Sequence, residues 1–135
     1  MNFQSLFLSY EGRIRRSHFW IGLIILLVVE WVIMAVTIGS AMSTAAMTHN
    51  PGAMFGGAAL IGWILLLLLL YPALAVYTKR WHDRGKSGWM SLVGLIPIVG
   101  PFWLLIELGF LDGTQGPNQY GPSPKGIEGS APAAA

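Results

Sequence analysis

FWIGLIILLVVEWVIMAVTI, residues 19–38, is a run of apolar side chains with one ionisable group, Glu30. The hydrocarbon core of a bilayer is about 30 Å thick and takes roughly 20 apolar residues to cross as a helix. This stretch therefore has the length and chemistry of a membrane span. Two further stretches resemble it. Residues 57–77 carry six consecutive leucines, Leu65 to Leu70, followed by Tyr71 and Pro72, a proline predicted to kink the helix. Trp89 to Leu111 would run about 34 Å as a straight helix at about 1.5 Å per residue, although Pro97 and the Gly100-Pro101 pair argue against straightness. A membrane barrel would show apolar and polar residues alternating over segments of about ten, and none of these runs alternates. The predicted fold is all-α: an integral membrane bundle of three transmembrane helices in a single domain over residues 1–124.

Composition agrees. Of 135 residues, 54% are hydrophobic and 10% charged, against roughly 45 to 50% and about 25% in soluble domains. Too little polar surface is available to cover a soluble fold. The absence of cysteine excludes disulfides, thiolate metal sites and cysteine nucleophiles. The formal charge of +2 comes from basic residues beside the apolar runs. This placement points to anionic lipid headgroups and not to nucleic acid.

Ahead of the first span, Phe3, Leu6, Phe7 and Tyr10 recur at helical spacing, which predicts a short amphipathic segment lying on the membrane until Gly12. Three arginines followed by an apolar run imitate a signal peptide, but the run is too long and contains Glu30. The first connection, Gly39 to Gly56, reads as a long loop with a turn at His49-Asn50-Pro51-Gly52. In the second, Gly85 ends one helix and Ser87 caps the next. Ala35, Gly39 and Ser43, with Ala58 and Gly62, form a candidate small-residue packing seam. Residues 125–135 read as a disordered tail.

Seven of the eight basic residues precede the first span or lie between the second and third. The positive-inside rule then places the N-terminus and the second connection in the cytoplasm. Three crossings leave the tail outside. The alternative is a third segment that folds back at Ile96 to Pro101 as a re-entrant hairpin, which returns the tail to the cytoplasm.

Three patches carry a resemblance: Gly12-Arg13-Ile14-Arg15-Arg16 with Phe19-Trp20; Arg80-Trp81-His82-Asp83-Arg84-Gly85-Lys86-Ser87-Gly88-Trp89; and Gly113, Gly116, Asn118, Tyr120, Gly121 and Pro124. Together they resemble the bacterial membrane family called domain of unknown function 805, the YhaH-like inner-membrane proteins. Trp81 departs from the aliphatic residue more usual at its position. The resemblance implies a bacterial inner (plasma) membrane location and a multi-helix fold, and supplies no catalytic residues.

Arg13, Arg15, Arg16, Lys79, Arg80, Arg84 and Lys86 form a predicted basic collar on one face, suited to anionic lipid or a protein partner. His82-Asp83 invites a catalytic interpretation, but helical neighbours point about 100° apart. Ser87 and Ser91 lack a nucleophile elbow. Gly85-Lys86-Ser87 imitates a phosphate-binding loop whose first glycine would fall at Arg80. His18, His49 and His82 lack a second ligand at metal-binding spacing. No catalytic residue, metal or cofactor is predicted. Glu30, about 16 Å into its span at about 1.5 Å per residue, has no basic partner in any span and is expected to be neutral or bonded to Thr37, Trp63 or Tyr71. Glu107 is expected near the outer interface. The expected function is a non-enzymatic inner-membrane protein whose cytoplasmic basic face binds anionic lipid or a membrane-protein partner, with self-association possible. A small oligomeric transporter or proton/cation pathway using Glu30 is the alternative.

Overall fold

Apolar side chains all round a helix leave it no water-facing side, so such helices are stable only in a large core or a bilayer. Two helices here have that character. In the computed structural model, which describes residues 2–126, α1 covers Phe3–Leu8, α2 Arg16–Thr48 and α3 Gly57–Asp83. Both α2 and the stretch Pro51–Asp83 are long and apolar enough to cross a membrane, with mean hydropathies of 2.7 and 2.5. Among the described residues there is no strand, only an isolated bridge between Asn118 and Gly121. The chain divides into two units, Ile24–Tyr71 and Met1–Leu23 with Pro72–Ala135.

In the unit Ile24–Tyr71, Gly62 meets Thr37 so closely that an added methyl group would overlap the Thr37 side chain. This is the observed close approach of the two helices. Gly39, placed in the seam by its spacing, has open space around it. The expected loop from Gly39 is also corrected, since α2 continues to Thr48. Alanine and methionine favour helix, and the Ser40, Thr44 and Thr48 hydroxyls donate to the carbonyls of Thr37, Ser40 and Thr44, which removes their competition with the helix. The turn begins only at Asn50, whose side chain accepts from the Gly52 N–H and caps a 3-10 turn over Pro51–Phe55.

In the other unit, α1 is capped by Asn2, which accepts from Gln4 and Ser5, and it buries Leu6. Phe19, Val76, Trp81 and Leu108 complete a small core. Helix α3 ends where expected: Gly85 adopts φ +72°, and Lys86 N–H returns to the Trp81 carbonyl at 2.9 Å. Ser87 then caps a 3-10 helix over Gly88–Leu95.

The third apolar stretch, expected as one span over 89–111, is instead two short arms. After Gly88–Leu95 the chain reverses and returns as α4, Val99–Leu104, continued by a π-helical turn over Leu105–Phe110. Ile98 makes the reversal at φ +66° and ψ −59°, with Val99 N–H donating to the Pro97 carbonyl at 2.7 Å. This is a γ-turn of the strained hand. Proline at 97 cannot supply an N–H to continue a helix, and Gly100 lets the arms touch backbone to backbone: a methyl there would overlap the Val93 carbonyl oxygen. At about 2.0 Å per 3-10 residue and about 1.5 Å per α residue, each arm is roughly 16 to 18 Å long, about half the hydrocarbon thickness.

Candidate functional site

The polar end of the second unit is built around Asp83, at the last turn of α3. Its side chain is 3% exposed. One carboxylate oxygen accepts from Arg13 Nε at 3.0 Å, with Arg13 Nη2 in ion-pair range at 2.9 Å, and the other accepts from Arg80 Nη1. One carboxylate thus faces two buried guanidinium groups, whose side chains are 1% and 0% exposed. Peptide carbonyls supply the rest of the solvation. Arg13 donates to Thr114, Gly116 and Gly121, at 2.8, 2.8 and 3.2 Å. Arg80 donates to Leu108 at 2.6 Å, to Ile14 at 3.3 Å and to Leu111. Only arginine carries five donors in a rigid fork, so each guanidinium can hold a carboxylate and several carbonyls together. Lys79, also buried, donates to the Ser5 and Leu6 carbonyls.

The C-terminal segment is shaped to receive these donors. Gly116 and Gly121 turn their carbonyls towards Arg13 from φ +69° and +127°, backbone that favours glycine. Gly113 packs so tightly that a methyl group would overlap the Asp83 carboxylate, while Thr114 N–H donates to the Asp83 carbonyl at 2.7 Å. Asn118 donates to the His82 carbonyl, and Tyr120 stacks on the His82 ring at 3.8 Å between centroids.

His82 and Asp83 do not form a dyad, because His82 Nδ1 lies 3.1 Å from the Gly12 carbonyl while Asp83 faces the arginines. A carbonyl can only accept, so Nδ1 carries the proton.

The structure therefore divides the predicted collar. Arg13, Lys79 and Arg80 are spent internally. Arg15 is exposed and has no partner among the described residues. Arg16 is half exposed and bonds the Phe110 carbonyl and Asp112. Arg84 and Lys86 meet at Glu107, with Arg84 at 3.1 Å. Glu107, expected near the opposite interface, is returned here by the reversal at Ile98. Glu30 is exposed on α2 and makes none of the expected hydrogen bonds among the described residues. Among the described residues no group of three or more His, Asp or Glu could hold a metal ion. Residues 127–135 of the expected disordered tail lie outside the described residues, whereas Lys125 pairs with Asp112 at 2.6 Å.

Arg13, Arg80, His82, Asp83, Gly113, Gly116, Asn118, Tyr120 and Gly121 belong to the three motif patches, whereas Lys79, Glu107 and Thr114 do not. The profile of the family described as Protein of unknown function (DUF805) matches residues 7–122. The chain belongs to this family. Its DUF805 relatives include the inner membrane protein YhaH of Escherichia coli strain K12, 29% identical over 120 residues that cover 88% of this chain and 89% of the relative. The uncharacterized protein YiiR of the same strain is 29% identical, covering 95% and 94%, and the inner membrane protein YhaI is 27% identical, covering 88% of each. No solved structure matches. In this DUF805 chain the motif residues hold the N-terminal segment, the end of α3 and the C-terminal segment together. Sequence reasoning missed Gly113, Thr114, Asn118 and Tyr120 as partners of Asp83 and His82, although the motif spacing had marked three of them.

Proposed function

We propose that this DUF805 protein is a non-enzymatic accessory protein of the inner membrane. It crosses the bilayer twice, through α2 and α3, and inserts its third apolar stretch as a re-entrant hairpin. Arg15, Arg16, Arg84 and Lys86 form the cytoplasmic surface that binds anionic lipid or a membrane-protein partner. The observation that carries this reading is the set of bonds from Arg13 to the carbonyls of Thr114, Gly116 and Gly121. Residues before the first span and after the third apolar stretch can bond in this way only on one side of the membrane, which supports an even number of crossings. Basic-residue bias supports that side as the cytoplasm.

Because native cysteine is absent, single cysteines report without background. Of Ser5→Cys, Ser43→Cys, Ser87→Cys and Gln119→Cys, only the variant at 43 should react with an impermeant reagent outside intact cells. Reaction at 119 with protection at 5 and 87 would sink the re-entrant hairpin. Arg15→Gln with Lys86→Gln should lower the phosphatidylglycerol retained through purification severalfold relative to phosphatidylcholine; an unchanged ratio would sink the lipid-binding face.

Exposed Glu30 favours one second reading. A carboxyl without a partner among the described residues on a spanning helix calls for another subunit or a polar path, as in an oligomeric proton or cation pathway. Proton flux into liposomes that disappears in Glu30→Gln would establish that reading, and absence of flux in the parent would remove it for protons.

A further inference from the structure

Glu30 and Trp31 are neighbours on α2, and both are exposed, Trp31 at 74%. Neither the carboxyl nor the indole N–H has a hydrogen-bond partner among the described residues. Along α2 the pair stands about 21 Å from Arg16 and about 27 Å from Thr48, at about 1.5 Å per residue. In a spanning helix both groups therefore lie deep in hydrocarbon, where each needs a partner. They cannot serve each other within one helix, because adjacent residues point about 100° apart.

Between two helices the same groups are complementary. An indole nitrogen only donates, and a carboxyl oxygen accepts whether or not the acid is ionised. The stripe that carries Trp31 also fits a helix pair: Ile24, Leu27, Trp31, Met34 and Ile38, all exposed, recur at alternating steps of three and four residues, the spacing of a left-handed pair. In a parallel pair with this stripe inside, Trp31 of one helix enters a hole formed by Leu27, Glu30, Trp31 and Met34 of the other. Each indole then stands beside the opposite carboxyl. A two-fold axis along the membrane normal keeps donor and acceptor at one depth and forms both bonds together. No Lys or Arg occurs between residues 17 and 78, so Trp31 is the donor that a second copy offers on α2 at this depth. Thr37, which meets Gly62 of α3, lies on the next face of the helix and keeps that contact.

We propose that two copies of this protein pair through α2, with Trp31 of each copy donating to Glu30 of the other. The pair rests on the reading of α2 as a membrane span and names the partner of Glu30. It requires no conduction, since the carboxyl is used as a hydrogen-bond acceptor.

The test uses the full chain, which has no native cysteine, first in native membranes and then in phosphatidylcholine vesicles. On oxidation in native membranes, Leu27→Cys and Met34→Cys should give disulfide-linked dimer at least about fivefold above Val29→Cys and Val36→Cys, exposed on the other side of α2, because a disulfide needs Cα atoms within about 7 Å. Energy transfer between copies labelled at Ser43→Cys in the vesicles then measures the pairing constant. Trp31→Phe keeps a ring but removes the donor, and Glu30→Leu removes the acceptor. Each should lower the constant roughly eightfold, the loss expected for two interhelical hydrogen bonds of average strength in membranes. The double variant should fall no further than either single one, because the same bonds are lost. Glu30→Gln keeps an accepting carbonyl and should pair like the parent. Equal cross-linking at all four positions overturns the proposal, as do additive losses in the double variant or cross-linking of Met34→Cys to a different protein. Labelling of Ser43→Cys from outside without dimer at 27 or 34 removes the pair alone, whereas protection of Ser43→Cys removes the span and the pair together. Because Glu30→Gln keeps the pair while abolishing any proton flux through the carboxyl, the pathway reading and this one fail separately.

Discussion

Asp83→Asn should be the most damaging single substitution of an ionisable residue in the protein. The amide keeps the shape of the carboxylate but removes the negative charge shared by Arg13 and Arg80, both fully buried. Removing one partner of a buried ion pair typically costs about 3 to 5 kcal/mol, because the surviving charge has lost its compensation. Here two guanidinium groups would be left with carbonyls alone. The asparagine amide would also present N–H donors to arginine donors. The expected result is a large fall in the thermal stability of the detergent-solubilised protein, together with exposure of residues 112–121 to protease. Arg13→Gln with Asp83→Asn removes one cation with the anion, so the double variant should be less damaged than the sum of the two single changes. If Asp83→Asn melts with the parent, the buried cluster does not hold the fold.

Gly100→Ala should open the hairpin. The added methyl would overlap the Val93 carbonyl oxygen and stand 3.0 Å from the Gly94 Cα. Both obstacles are backbone and cannot rotate away, so the arms must separate. Overpacking a tight interior costs typically about 1 to 3 kcal/mol, and a backbone collision belongs at the top of that range. Separation would also move Glu107 from Arg84 and Lys86 and pull the Leu108 carbonyl from Arg80. The measurement is thermal stability, with Gly39→Ala as the matched control. Gly39 lies in α2 with nothing within 4 Å, and alanine there should be neutral or stabilising, because glycine costs a helix roughly 0.5 to 1 kcal/mol. Equal behaviour of the two variants would mean that the arms are not in contact.

Ile98 shows why the hairpin was ambiguous in the sequence. Isoleucine is a poor residue for positive φ, so nothing local marks position 98 as the reversal. It is held there because the Gly100 approach and the ion pairs of Glu107 reward the returned arm. Pro97 and Gly100-Pro101 showed that the segment would bend, but a kinked crossing and a hairpin begin with the same residues. The end of α3, by contrast, was legible to the residue, because Gly85 and Ser87 act locally. The long first connection fails for the opposite reason: serine and threonine side chains can bond the backbone in loops or in helices, and here their hydroxyls bond the preceding turn of the helix itself.

By itself the sequence determined the solvent. Uninterrupted apolar runs of spanning length, few charges and no alternation require helices in a bilayer, because only an internally hydrogen-bonded backbone is tolerated there. It also marked Arg13, Arg80, Asp83 and the glycines around them, which lie in the three motif patches, but not Lys79, Glu107 or Thr114. Tertiary structure alone decided what the charges do. An arginine beside an apolar run has the same sequence signature whether it faces phosphate or a ring of carbonyls. Arg13 and Arg80 are distinguished from Arg15 only by the arrival of residues 107–121, which lie far along the chain and provide the oxygens that replace water.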